Sequence, residues 1–213
     1  MTRLLLIRHG QSVANKERFF AGQIDCALTE LGRKQAKKTA EFIYENYSVD
    51  VIYSSGLERA FNTALPLANA FGLEIICDEN LREINAGSWE KTPFEILEKL
   101  YAKDFSVWQT NIGLSRPTGG ESVKEMGERF LKQVLEIAKQ NETKTVVIST
   151  HATPIRVLEC LLSGLTLDKM HTVPWVSNAS VSELVFDGGE LKIVKMGQDG
   201  HLENLRSVLP ANV

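Results

Sequence analysis

Short apolar runs alternate with longer amphipathic stretches along this chain, and that alternation constrains the fold more than any other feature. Leu4-Leu5-Leu6-Ile7 is apolar at every position, as expected of a strand buried on both faces. Val51-Ile52-Tyr53, Leu73 to Cys77 and Thr145 to Ser149 read the same way. Between them lie helical patterns. Leu31, Gln35, Thr39, Phe42, Ile43 and Tyr47 follow the cap candidate Thr29, and Leu57, Ala60, Phe61, Ala64, Leu67, Ala68 and Phe71 end at Gly72. Pro66 argues for a break in the second of these. A third pattern, Val123, Met126, Phe130, Val134 and Ile137, opens on the capping box Ser122-x-x-Glu125. Strand and helix in alternation imply an α/β fold with a mostly parallel sheet and helices on both faces. Near the C-terminus, Val181 to Phe186 and Leu191 to Met196 flank Asp187-Gly188-Gly189-Glu190, which predicts an antiparallel edge hairpin.

The chain has 213 residues, 43% of them hydrophobic, enough for a sizeable core. Residues 84–120 fit the alternation least, with aromatic helical fragments around Phe94, Leu97, Tyr101, Phe105 and Trp108. We expect one domain over 1–213, with this segment as a helical insertion over one end of the sheet. Balancing 24 basic against 27 acidic residues gives a net charge of −3, which argues against a nucleic-acid or anionic-membrane partner. Cys26, Cys77 and Cys160 have no paired or ligand-like spacing, and Leu4 to Ile7 is too short for a signal peptide. A cytoplasmic location without a membrane span is therefore expected. Oligomeric state is not readable.

In an open parallel sheet, ligands bind beyond the carboxyl ends of the strands. Arg8-His9-Gly10 follows the first predicted strand, and Ser54-Ser55-Gly56-Leu57-Glu58-Arg59 the second. Arg82-Glu83 follows the third by a short loop, and His151-Ala152 follows the fourth. Two histidines, two arginines and a carboxylate thus converge on one edge. Phosphoryl transfer wants such a set. Guanidinium forks match phosphate oxygens, a neutral imidazole can take the phosphoryl group, and a carboxylic acid can protonate the leaving oxygen. Amides of a helix following Gly10 would add to the anion's field. Alone, each residue has a bland reading: the arginines as salt-bridge partners, Asn15 and Gln23 as cap or turn residues. His171 and His201 read as surface, and Cys160 as core. The chain has no GxSxG elbow, Walker loop or HExxH.

The motifs run Leu6-Ile7-Arg8-His9-Gly10-Gln11-Ser12-x-x-Asn15, then Arg18-Phe19-x-x-Gly22-Gln23-x-Asp25-x-x-Leu28-Thr29-x-x-Gly32. Ser54-Ser55-x-Leu57-x-Arg59-Ala60-x-x-Thr63-Ala64 and Leu81-Arg82-Glu83-Ile84-Asn85-x-Gly87-x-Trp89-Glu90 follow. Gly119-Gly120-Glu121-Ser122 and Val147-Ile148-Ser149-Thr150-His151, with Ile155-Arg156, close the series. In this order the blocks resemble the histidine phosphatase superfamily, the phosphoglycerate-mutase-like proteins. The resemblance implies a three-layer α/β/α sandwich and chemistry without metal or other cofactor. It implies His9 as phosphorylated nucleophile, Arg8, Arg59 and His151 as phosphate pocket and Glu83 as proton donor. Asn15 and Gln23 fall where the family adds polar contacts, and Ala152 where its backbone amide serves. Two positions depart. Glycine is common where this chain has Ala152, which would be strained if that position needs positive φ, and also where it has Lys91, a cation near the insertion. Glu83 is followed by Ile-Asn-x-Gly-x-Trp-Glu, which resembles the phosphatase branch. Hydrolysis of a small phosphorylated metabolite is the expectation; a 2,3-bisphosphoglycerate-dependent mutase and a non-catalytic phospho-ligand sensor are the alternatives.

Overall fold

A computed structural model describes residues 1–207. Six strands form one sheet in the order β3-β2-β4-β1-β5-β6. Strands β1 (Thr2–Arg8), β2 (Val51–Ser54), β3 (Ile75–Cys77) and β4 (Thr145–Thr150) are mutually parallel. Strands β5 (Val181–Asp187) and β6 (Glu190–Gln198) form the antiparallel edge hairpin. Gly188 and Gly189 both have positive φ (59° and 91°), which a two-residue hairpin turn requires.

The apolar run of β1 divides by pleat between two buried layers. Leu5 and Ile7 pack with Ile52 and Val147 against Ala40 and Ile43 of α2 (Glu30–Asn46) and Ala64 and Leu67 of α3 (Glu58–Phe71). Leu4 and Leu6 face the other layer, with Met126, Phe130 and Val134 of α6 (Val123–Gln140) and Ile155 and Leu158 of α7 (Ala152–Leu162). Thr29 caps α2, and the Ser122–Glu125 capping box is formed at α6. Asn15 of the short α1 (Val13–Glu17), Phe94 of α4 (Phe94–Leu100) and Trp108 of α5 (Ala102–Thr110) line one cavity with Arg8 and His9 at the end of β1. Trp89, Leu97, Phe105 and Trp108 from the 84–120 segment join the same buried cluster as Leu4 and Leu6.

Three expectations need correction. Helix α3 runs unbroken through Pro66. Pro66 and Asn62, whose carbonyl loses its helical donor, both line an outer groove. The third strand is shorter than expected, because the Leu73 amide still bonds the Ala68 carbonyl at the end of α3. His201 is half-buried, stacked on Phe42 at 4.6 Å and bonded through Nε2 to Thr39 Oγ1 at 2.9 Å. His171 is exposed and Cys160 is fully buried.

A tight backbone approach lies where β1 ends. A Cβ on Gly10 would sit 2.5 Å from the Gly32 carbonyl oxygen, and one on Gly32 would sit 2.1 Å from that of Gln11. Glycine at both positions lets α2 start directly against the loop that carries His9.

Candidate active site

His9 and His151 sit at the carboxyl ends of the adjacent strands β1 and β4, their ring centroids 5.2 Å apart. Both are buried, as are Arg8 and Arg59. Arg8, His9 and Arg59, with Glu83, Asn15, Ala152 and Thr153, line a cavity of about 80 Å³. His151 does not line it and is fully buried against His9.

The His9 ring is fixed by one bond. Its Nδ1 is 2.8 Å from the Gly10 carbonyl oxygen, which can only accept, so Nδ1 carries the proton. Nε2 is left as a lone pair. Burial, then the charges of Arg59 and Arg8, hold the His9 pKa well below the usual histidine value, so the ring is neutral at pH 7. His151 is depressed likewise, by burial first and then by Arg59, His9 and Arg8. Its Nε2 is 2.8 Å from Ser55 Oγ, while its Nδ1 is buried without a partner. When the Ser55 hydroxyl donates to Nε2, the free Nδ1–H becomes a donor for a ligand oxygen.

The guanidinium groups show the same incompleteness. Arg8 donates from Nη1 to the Val176 carbonyl at 2.6 Å, and its Nε has no partner. Burial lowers its pKa to about 10, with Glu83 opposing, so it remains charged at neutral pH. Arg59 bonds the Gly22 and Ile24 carbonyls at 2.7 and 2.9 Å, again leaving Nε unpaired. Three buried donors without acceptors around a neutral imidazole amount to an anion pocket.

Glu83 faces this cluster. Its Oε1 accepts from the Ile84 amide at 2.8 Å and its Oε2 from the Thr153 amide at 3.3 Å. Desolvation outweighs those bonds and the charge of Arg59, and raises its pKa above the usual carboxylate value. A raised carboxyl pKa beside depressed histidine pKa values moves each group toward the protonation state that an acid and a nucleophile need.

Gln23 does not line the cavity; its Nε2 braces the Glu83 carbonyl at 3.0 Å. Asn15 does line it, and its Oδ1 accepts from Ser12 and from Asn178 Nδ2. Ala152 is the first residue of α7 and is not among the positive-φ residues, so its side chain introduces no strain. Lys91, by contrast, has φ 64°, the left-handed backbone that a glycine relieves. Its side chain is exposed and does not reach the cavity. The amides after His9 are not offered to an anion. Those of Gly10, Gln11, Ser12 and Val13 are taken by Thr63, Gln35, Asn15 and Ala27.

Sequence reasoning passed over Ser55 and Asn178. Ser55 stands directly after β2, a position that carried its signal. Asn178 Nδ2 donates to the His9 carbonyl at 3.0 Å. It precedes β5, and only the antiparallel pairing of β5 with β1 brings it there.

Fold and pocket together define an α/β/α protein with unpaired buried donors gathered around a neutral histidine. The chain belongs to the histidine phosphatase superfamily (branch 1), whose family profile matches residues 4–199. It is 34% identical over 202 residues to phosphoserine phosphatase 1 of Hydrogenobacter thermophilus, covering 95% of each chain. Among solved structures it resembles YhfR of Bacillus stearothermophilus, with a TM-score of 0.91 and 30% identity over 95% of this chain and all of that one. A phosphoserine phosphatase variant from Entamoeba histolytica in complex with phosphoserine gives 0.83 at 28% identity, over 95% of this chain and 100% of that one.

Proposed function

We propose that this protein hydrolyses small phosphomonoesters through a phosphoryl group carried on His9. The observation that carries the reading is the His9 ring: proton on Nδ1, lone pair on Nε2, in a pocket with unpaired guanidinium donors.

Nε2 attacks phosphorus, and the N–P bond forms as the P–O ester bond breaks. Glu83 gives its proton to the departing oxygen. Arg8, Arg59 and the Nδ1–H of His151 hold the three other phosphoryl oxygens as charge develops. Water then attacks the phosphohistidine, Glu83 takes the water's proton, and the N–P bond breaks to release phosphate and neutral His9. The guanidinium groups supply the positive charge, and no step needs a metal; saturating EDTA should leave the rate unchanged.

The chain works as one domain in this reading, with residues 84–120 covering the pocket. Its three cysteines are unpaired, which fits a reducing compartment such as the cytoplasm. The test is a quench of enzyme mixed with radiolabelled p-nitrophenyl phosphate. We expect an acid-labile, base-stable label on the wild type and none on His9→Ala, whose turnover falls by about 10⁴-fold or more. Label persisting on His9→Ala would overturn the assignment. Interconversion of 3- and 2-phosphoglycerate outrunning phosphate release would make the enzyme a mutase.

A further inference from the structure

The catalytic cavity opens between aromatic walls. Phe19, Phe20, Phe94, Trp108 and Trp175 all line it. Phe20 meets Phe94 and Trp108 edge to face, at 5.9 and 5.0 Å, so these walls brace one another. Trp175 is held from behind by Arg156, whose guanidinium lies 4.2 Å from the ring centre. Arg156 itself does not line the cavity, and its Nε is spent on the Val173 carbonyl at 2.7 Å. Among the described residues, the charged side chains that line the cavity are Arg8, Arg59 and Glu83 alone. All three belong to the phosphoryl chemistry.

A leaving group seated there meets rings and no counter-charge. A carboxylate would lose its hydration against apolar walls without an ion pair, a cost that bound aromatic area cannot offset. An ammonium gains some attraction from ring faces but finds no carboxylate apart from the proton donor Glu83. An uncharged ring loses nothing on leaving water and gains edge-to-face contacts with the braced walls.

Resting on the phosphatase reading above, we infer that the preferred substrates are phosphomonoesters whose leaving group is aromatic and uncharged. Trp175 and Phe19 are then specificity-determining residues. This separates the chain from relatives named for phosphoserine, whose leaving group carries both a carboxylate and an ammonium.

The test compares benzyl phosphate, O-phosphoserine and phosphoethanolamine, all esters of primary alcohols, so the bond broken is the same. Each yields its alcohol and inorganic phosphate at the expense of one water. We expect kcat/KM for benzyl phosphate to exceed that for each of the others by about tenfold or more. In Trp175→Ala that advantage should shrink, mainly through a higher KM for benzyl phosphate. Phe19→Leu gives the same readout with a smaller disturbance of packing. Phosphoserine or phosphoethanolamine ahead of benzyl phosphate would overturn the inference alone, as would an equal loss on all three esters in both variants. Turnover of none, with no label on His9, would overturn the phosphatase reading and the inference together.

Discussion

Ser55 has no bond to make or break in the reaction, yet when its hydroxyl donates to His151 Nε2 it leaves the Nδ1–H free to donate. Removing its hydroxyl leaves Nε2 of a fully buried ring without a partner. Ser55→Ala should lower kcat by about 10- to 100-fold, the worth of a lost buried hydrogen bond, with KM little changed. A rise in KM alone would mean that Ser55 merely supports binding. Glu83 makes a sharper case. Glu83→Gln cannot supply a proton, but p-nitrophenolate leaves without one. This variant should therefore give a burst of p-nitrophenol and then stall as phosphoenzyme, with steady turnover down by about 10²- to 10⁴-fold. Its alkyl phosphate hydrolysis should be slow from the first turnover. In the wild type, activity rises with pH as His9 loses its proton, below the ordinary histidine value, and falls as Glu83 loses its own, above the ordinary carboxylate value. The optimum is accordingly acidic to neutral, and a flat kcat/KM profile from about pH 4 to 9 would contradict both assignments.

At the scale of elements, what the sequence disclosed depended on how each residue is positioned. Arg8, His9 and His151 stand at the ends of strands, and strands announce themselves by unbroken apolar runs. Arg59 is the second residue of α3, a short loop after β2 ends at Ser54. Asn178 could not be found this way, because its place depends on a strand pairing 169 residues away in sequence. The helix expected to offer its amides after Gly10 also escaped the reading. Side chains from α1, α2 and α3 had already claimed those donors, and a linear pattern does not show such claims. Lys91 tests the local argument. Its left-handed backbone costs about 1 kcal/mol relative to glycine, and its side chain touches none of the pocket. Lys91→Gly should raise the melting temperature by about 2–4 °C without altering kcat/KM. The opposite is expected of Gly32→Ala, where the added carbon meets backbone at 2.1 Å. That variant should lose several kcal/mol, on the order of the largest single-site effects, in denaturant melts.

For the molecule as a whole, the pocket is a store of acid sensitivity. His9 and His151 resist protonation in the folded chain, while both accept protons near pH 6.5 once unfolded. Their contribution to stability is complete above that value and is lost as pH falls below it, by up to ~1.4 kcal/mol per pH unit for each ring. Glu83 acts in the reverse sense, since its raised pKa adds stability at low pH that fades as pH climbs through the folded value. The melting temperature should fall steadily between about pH 6.5 and 5, more gently in His151→Asn, and inorganic phosphate should restore part of it by binding the folded state. An identical slope in wild type and variant would show that the rings do not carry the effect.

The pairing of β5 with β1 has a consequence in time as well as in space. The Arg8 side chain is held by the carbonyl of Val176 and the His9 backbone by Asn178, contacts that span 168 and 169 residues. A ribosome delivers the nucleophile well before these supports, so a growing chain carries an inert histidine until Val176 and Asn178 have emerged. Catalytic competence arrives in one event, when the β5–β6 hairpin docks beside β1. Chains released early, short of residue 180, should be inactive however well their first strands have formed.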